Sequence, residues 1–563
     1  MHNSKLKIGL LVDGRELTAW ACRMVEFINQ SDYADIAVIV RNILADEKRR
    51  SARSGDADLR TAVAGNAWDR LLGQIGLAAL RLLVDKPGRL PNALQLVDAA
   101  TLLTGVEVIE VRPRREDSFD WIEEGDLARI RSHDLDVLIQ LGFGTLRGGI
   151  LLIARHGIWS CEIGDDRTSR GGPAGYWEVM ESRPEIGSTL RILTEGPDGT
   201  QVAYRSFSST GVMSLPDSKS AVLWKSLHFI PRKLKQLHEE GGADFFARLR
   251  EANSRPQFYD RRLRKLPAFS ELSAILWRKG LQKVVRKWEE IFYLKQWLLL
   301  YDIQDRMSTT LGRFRHITPP KDRFWADPFV VARDNKYYVF IEECLFAVRK
   351  GHISVIELHK DGNLEAPVRV LEVPYHLSYP FVFEFEGGLY MIPESAANRT
   401  VDLYKCTSFP YKWEFQKHLR RDLVAVDTTL FEWQGKWWMF ANEIETRGAS
   451  TWDELFLYSS DNPLSDNWTP HPKNPIVSDV RSARPAGRLF VRNGRIYRPS
   501  QNCAGHYGYG FNICEIVTLT ETDYQEVVVE RVEPKWDKNI ISTHTLNYEE
   551  GLTIIDGQLR RRK

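Results

Sequence analysis

Phe324-Trp325-Ala326-Asp327-Pro328-Phe329 decides the architecture of the C-terminal half. It opens a hairpin: an apolar strand through Ala332, a turn at Asp334-Asn335, and a return strand, Tyr337-Tyr338-Val339-Phe340, that ends in Glu342-Glu343. The pattern recurs. Tyr379-Pro380-Phe381 opens a second hairpin ending at Glu394, Asp427-Thr428-Thr429 a third ending at Glu443, and Arg484-Pro485-Ala486 a fourth ending near Ser500. A shorter copy begins at Thr543-His544-Thr545. Steps of roughly 50 to 60 residues mark a repeat array. The turns between strands (Glu386-Gly387-Gly388, Gln434-Gly435-Lys436, Asn493-Gly494) carry hairpin residues. Third strands near 353–356, 401–404, 455–458 and 511–514, with outer edges near Leu371, Trp413 and Trp468, make four-stranded blades. The expectation is an all-β five-bladed propeller over 291–563. A segment at 296–301 completes the last blade and removes an exposed edge.

Radial repetition puts equivalent positions at equivalent depth. Asp327, Tyr379, Asp427, Arg484 and His544 are therefore expected to face one funnel, with Trp325 beside them. Glu343, Glu394 and Glu443, at the ends of return strands, are second candidates for its rim. Such a set suits a glycan, and two carboxylates roughly 6.5–9.5 Å apart permit inverting hydrolysis. The alternative is that Asp327 and Asp427 only cap turns.

Composition narrows the classes. A chain of 563 residues is too long for one core. Lys plus Arg number 77 against 75 Asp plus Glu, which gives no reason to expect nucleic acid. The cysteines (Cys22, Cys161, Cys344, Cys406, Cys503, Cys514) form no C-x-x-C pair, so no metal is expected. The first strand follows Met1 too closely for a signal peptide, and no apolar run reaches a membrane span, so the chain is expected in the cytoplasm.

In the first 210 residues, apolar runs at 7–12, 36–40, 106–111 and 135–141 alternate with helical patterns, including one from about Asn66 to Leu103. That predicts a doubly wound α/β domain over 1–210. Gly142-Phe143-Gly144 lacks the third glycine of a dinucleotide fingerprint and reads as a strand-end turn. Residues 211–290 read as a basic helical linker, with 16 Lys and Arg over 225–287 and the densest cluster at Arg261-Arg262-Leu263-Arg264-Lys265. Such a stretch suits either solvent or the inner face of a membrane as a peripheral contact.

Two resemblances add to this. The run from Asp136 to Phe207 resembles the formyltransferases that use 10-formyltetrahydrofolate, through Asp136-Val137-Leu138-Ile139, Gly157-Ile158-Trp159-Ser160-Cys161-Glu162, Arg170-Gly171-Gly172-Pro173, Gly187-Ser188-Thr189-Leu190 and Gly196-Pro197-Asp198-Gly199. The resemblance implies that folate as cofactor and Arg170 in the substrate site. The family's catalytic Asn, His and Asp fall on Ser160, Glu162 and Asp198; only the aspartate matches. A serine hydroxyl can donate one hydrogen bond, and Glu162 can act as a base if burial raises its pKa. The C-terminal half resembles the five-bladed propellers of family 43 and 32 glycoside hydrolases, which implies a catalytic carboxylate at Asp327, with Glu443 a loose stand-in for the acid. It also resembles the N-terminal domain of plant glucosamine inositolphosphorylceramide transferases, through Phe324-Trp325-Ala326-Asp327-Pro328-Phe329, His376-Leu377-Ser378-Tyr379-Pro380-Phe381 and Ile392-Pro393-Glu394-Ser395. The functional expectation is a carbohydrate-active protein of surface polysaccharide or glycolipid biosynthesis, transferring a formyl, acyl or glycosyl group to a sugar. Its partners would be a sugar nucleotide, glycan or glycolipid. The alternatives are a glycoside hydrolase acting from the propeller and a non-catalytic glycan-binding scaffold.

Overall fold

The computed structural model describes residues 4–45, 90–116, 119–165, 175–195, 199–210, 215–255 and 269–563. The chain divides into two compact units. The first comprises Met1–Ser206, Val212–Arg278 and Thr446–Ala449; the second comprises Phe207–Gly211, Lys279–Glu445 and Ser450–Lys563.

In the first unit, a seven-stranded sheet runs in the order Gln201–Ser209, Glu185–Leu193, Ile158–Ile163, Val137–Gln140, Leu6–Val12, Ala34–Asn42, Glu107–Val111. Leu6–Val12 is flanked by parallel partners on both sides, and Ile158–Ile163 pairs antiparallel with Glu185–Leu193. Alternation splits the central strand between two cores, as a sheet buried on both faces requires. Ile8, Leu10 and Val12 pack with Met24, Val25 and Ile28 of the helix Ala19–Asn29. Leu11 packs on the other face with Leu127 and Ile130 of the helix Glu124–Arg131. The helices Leu215–Ser226, Phe229–Glu240 and Gly242–Asn253 contribute Leu223, Trp224, Phe229, Leu234, Phe245 and Leu249 to the same core as Ile8. They are thus part of this unit's interior, where sequence alone suggested a linker over 211–290. The helical reading of 66–103 falls mostly outside the described residues. Within 90–103 the chain instead makes turns and the short strand Leu96–Asp98, paired with Glu16–Thr18.

Gly142-Phe143-Gly144 lies beyond the carboxyl end of Val137–Gln140, at the point where strand order reverses. Asp13 accepts the Phe143 N–H at 2.6 Å and Asp120 accepts the Gly144 N–H at 2.6 Å. Two carboxylates therefore occupy the amides that a phosphate needs, and the stretch is a braced turn.

The second unit is propeller-like: five antiparallel sheets, four of them four-stranded. Each apolar interface joins successive sheets. Val331 and Phe340 of the first meet Val382 and Met391 of the second. Phe383 and Ile392 meet Leu430 and Met439 of the third. Trp438 and Phe440 meet Leu489 and Ile516 of the fourth. Ala486 and Phe511 meet Leu298, Leu300 and Ile555 of the fifth, and Leu299 and Ile554 return to Val330 and Val339 of the first. The ring is closed by strands distant in sequence: Tyr293–Ile303 pairs antiparallel with Leu552–Arg562, from Tyr293 opposite Arg562 to Ile303 opposite Leu552. All six cysteines are free thiols.

Leu300→Ala tests this closure. Leu300 is fully buried against Ile555, Ala486 and Phe511, and removing its isobutyl group is expected to cost about 2–5 kcal/mol. Val517→Ala, at a residue 59% exposed, is expected to stay within about 0.5 kcal/mol. Denaturant unfolding measures both.

Candidate functional site: an acid-rich axial cavity

The first strands of the first three sheets each carry a β-bulge at the same place, between Ala326 and Phe329, Ser378 and Phe381, and Val426 and Thr429. At each bulge one residue is left-handed: Asp327 (φ 52°), Tyr379 (φ 43°) and Asp427 (φ 53°). Aspartate tolerates this region and tyrosine does not, and such strain costs on the order of 1–3 kcal/mol per residue. The bulges re-aim these side chains toward the ring's centre. The fourth sheet uses glycine instead: Gly487 (φ 125°) lies so close to the fifth sheet that a Cβ would stand 2.1 Å from the Leu546 carbonyl oxygen.

Asp327 is buried at the head of one cluster. It accepts from the Thr545 hydroxyl at 2.9 Å and the Tyr379 N–H at 3.3 Å, and His544 Nε2 lies 3.3 Å away. The other imidazole nitrogen, His544 Nδ1, is 2.7 Å from Asp556. Asp556 also accepts the backbone N–H groups of His544 (2.9 Å), Thr545 (3.1 Å) and Asp327 (3.2 Å). Burial alone lowers the His544 pKa, but Asp556 and Asp327 outweigh it and push it up to about 9. Burial, opposed by His544, pushes Asp327 up to about 7.

A second cluster stands beside it. Arg484 forks onto Asp427, with Nε at 2.6 Å and Nη2 at 3.2 Å, and Nη2 also lies 3.5 Å from Glu394. Gln501 donates to Asp427 at 2.8 Å. Burial and the Asp427 charge hold Glu394 well above the usual carboxylate range. Tyr379 Oη accepts the Gly487 N–H at 2.8 Å and lies 2.9 Å from the Thr429 hydroxyl, which itself donates to the Asp427 carbonyl at 3.1 Å.

Between the clusters is a cavity of about 220 Å³ lined by Asp327, Glu342, His376, Glu394, Arg484 and His544, with Trp297, Phe324 and Tyr507 as aromatic walls. Of the residues expected at the funnel, Asp327, Glu394, Arg484 and His544 line it. Asp427 braces Arg484 and Tyr379 braces Gly487 from behind. Three others, Trp325, Glu343 and Glu443, lie elsewhere. Glu343 accepts from Trp325 (3.2 Å), Ser354 (2.7 Å) and Arg323 (3.0 Å) inside the first sheet. Those bonds outweigh burial and hold Glu343 at about 2. Glu443 is tied to Arg420 and, at 2.9 Å, to Tyr458. Strand alternation explains the first error: Glu343 pairs with Trp325, whereas Glu342 pairs with Ala326 and faces the cavity. Asp556, Gln501, Tyr507 and Trp297 were not anticipated. Only Asp556 carried a usable signal, as a lone carboxylate in the apolar run after Leu552.

Asp327, His544 and Asp556 each offer a ligand atom within 4.8 Å of the others, a spacing that can hold a cation. A metal needs a neutral imidazole. The two carboxylates push His544 up to about 9, so its imidazolium and a bound cation are alternative ways of placing positive charge between them.

In the first unit, Asp198 and Arg170 lie outside the described residues, as does the cluster Arg261-Arg262-Leu263-Arg264-Lys265. Ser160 and Glu162 lie on the strand Ile158–Ile163, but the Glu162 side chain is 47% exposed and pairs with Arg191 at 3.2 Å. Glu162 therefore lacks the burial expected of a base.

Fold and cavity together define a propeller-like unit with a polar, acid-rich pocket at its centre. Residues 315–548 match the family model described as glucosamine inositolphosphorylceramide transferase 1, N-terminal, in keeping with the resemblance read from the sequence. The chain is 36% identical over 209 residues to glucosamine inositolphosphorylceramide transferase 1 of Oryza sativa subsp. japonica, covering 37% of this chain and 28% of that protein. Among solved structures, a family 117 glycoside hydrolase from Zobellia galactanivorans is similar at 11% identity and TM-score 0.32, covering 47% of this chain and 90% of that one. A phosphoribosylglycinamide formyltransferase from Anaplasma phagocytophilum is similar at 14% identity and TM-score 0.25, covering 40% and 81%.

The His544 cluster sets a pH response. Its folded pKa of about 9 exceeds the ordinary 6.5, so its contribution is full below about pH 6.5 and is lost as pH rises through about 9. Asp327, raised to about 7, works in the same direction. The unfolding midpoint of the second unit is expected to fall between pH 6.5 and 9, and His544→Gln is expected to flatten that limb in pH-resolved thermal melts.

Proposed function

We propose that the second unit is a five-bladed β-propeller that holds one sugar ring of a glycolipid or glycan in its axial cavity, and that the protein serves glycan or glycolipid assembly as a transferase. The observation that carries this is a single cavity that brings together two carboxyl groups in different surroundings, the buried Asp327 and the largely buried Glu394. Burial and the Asp427 charge favour the protonated form of Glu394, which can donate a proton to a leaving or bound oxygen; Asp327, near 7, can accept one. At about 220 Å³ the cavity is smaller than the ~300–1,000 Å³ of sites for drug-sized ligands, which suits one ring rather than a chain of them. Trp297, Phe324 and Tyr507 offer apolar faces for a sugar to lie against.

Charge narrows the ligand further. Asp327, Glu342, Glu394, Asp427 and Asp556 stand in and behind the cavity against Arg484, His376 and His544. Arg484 is already forked onto Asp427, so the site favours hydroxyls or an amine over a phosphate. An amino sugar fits that balance, and sequence similarity to an enzyme named for glucosamine supports the same class. The chain spans 28% of that relative's length, so the donor and the full acceptor belong to the proposal. Hydrolysis from the same pair is the second reading, because the acid and base are equally available to water.

Calorimetric titration of the full chain with glucosamine tests the proposal. Saturable binding is expected, weakened tenfold or more by Asp327→Asn combined with Glu394→Gln. Unchanged affinity in the double variant would remove the cavity as the sugar site. Intact binding in Glu394→Gln with lost turnover would separate catalysis from a binding scaffold.

A further inference from the structure

The long helix Phe269–Phe292 carries an apolar stripe that the sugar-site argument does not use. Trp277 (77% exposed), Leu281 (53%), Val284 (66%), Trp288 (51%) and Ile291 (57%) face solvent, flanked by Val285 and Phe292. Their spacing of four, three, four and three residues keeps them on one side; at ~100° per residue the stripe covers an arc of roughly 120°. A run of this size on one helix is not the scattered exposure of an ordinary surface.

The opposite side of the helix is already engaged. Ile275 is buried with Trp177, Met180 and Leu215, and Glu289 pairs with Arg560 at 3.1 Å. The stripe is therefore the outward face. Basic residues border it: Arg278 on one edge and Lys287 on the other are exposed on the helix. The C-terminal strand adds Arg562 and Lys563 at the helix's end, where the Lys563 N–H donates to the Phe292 carbonyl at 3.1 Å. No described helix is long and apolar enough to cross a membrane.

We infer that this helix lies in the surface of an anionic lipid bilayer, with the Trp277 and Trp288 side inserted at headgroup depth and the basic border on the lipid phosphates. Two indoles on one face, eleven residues apart, match the preference of tryptophan for that depth. An apolar face bordered by arginine and lysine matches the two terms that bind an interfacial helix. The charge is what selects lipid over a second copy of the chain, since a face edged by arginine and lysine repels its own image. The inference stands on the helix alone and does not depend on the sugar site.

Vesicle flotation of the full chain, without sugar, tests it. Binding is expected to vesicles of phosphatidylcholine with phosphatidylserine, and to be much weaker with phosphatidylcholine alone. Trp288→Ser with Ile291→Ser, both at exposed positions, is expected to weaken binding at least tenfold. Arg278→Glu with Lys287→Glu is expected to abolish the preference for the anionic lipid. Absence of binding to either vesicle overturns the inference, as does binding that neither pair of substitutions changes. A dimer by light scattering that the serine variant turns into a monomer also overturns it, in favour of a second copy.

Discussion

The pairing of Tyr293–Ile303 with Leu552–Arg562 is the constraint on which the second unit depends. It joins segments about 260 residues apart in sequence, so its loop-closure cost is borne before any contact it makes is formed. What offsets that cost is the apolar seam it completes on both sides, Leu298 and Leu300 toward the fourth sheet and Leu299 and Ile554 toward the first. The same strand carries Asp556, whose carboxylate accepts three backbone N–H groups and faces His544. Closing the ring and building the site are thus one event. If the fifth sheet failed to form, Asp327 would lose the group that fixes its backbone.

The cavity concentrates features that stability alone does not favour. Left-handed Asp327, Tyr379 and Asp427 carry backbone strain. Asp327 and Arg484 are buried and Glu394 largely so, and their desolvation is only partly repaid by pairing. Elsewhere in the ring, buried charges are resolved more simply. Arg498 forks onto Glu526 at 2.7 and 2.8 Å, and Glu343 is saturated by donors. The contrast separates charges that hold sheets together from charges left poised at the centre, and it is the poised set that lines the cavity.

The first unit shows the opposite tendency. Its strand-end turn at Gly142-Phe143-Gly144 is filled by Asp13 and Asp120, and Glu162 is spent on Arg191 at the surface. Its sheet still organises a large interior, to which the helices over 215–253 contribute aromatic and aliphatic side chains.

Much of the second unit was legible in the sequence, because a repeat forces the same local solution each time. The hairpin turns, the openings at Asp327, Tyr379, Asp427, Arg484 and His544, and the strand at 296–301 that meets the last sheet all follow from spacing and residue type. Which side chains reach the axis did not follow. A one-residue step in a strand exchanges the two faces, so Glu342 rather than Glu343 lines the cavity. Asp556, Gln501 and Tyr507 arrive from distant parts of the chain and have no local signature. Sequence by itself determined the elements and their periodicity, since turns and alternation are short-range physics. Only the tertiary structure decided that the pKa values of Asp327, Glu394 and His544 are raised, because burial and facing charge exist only once the ring has closed.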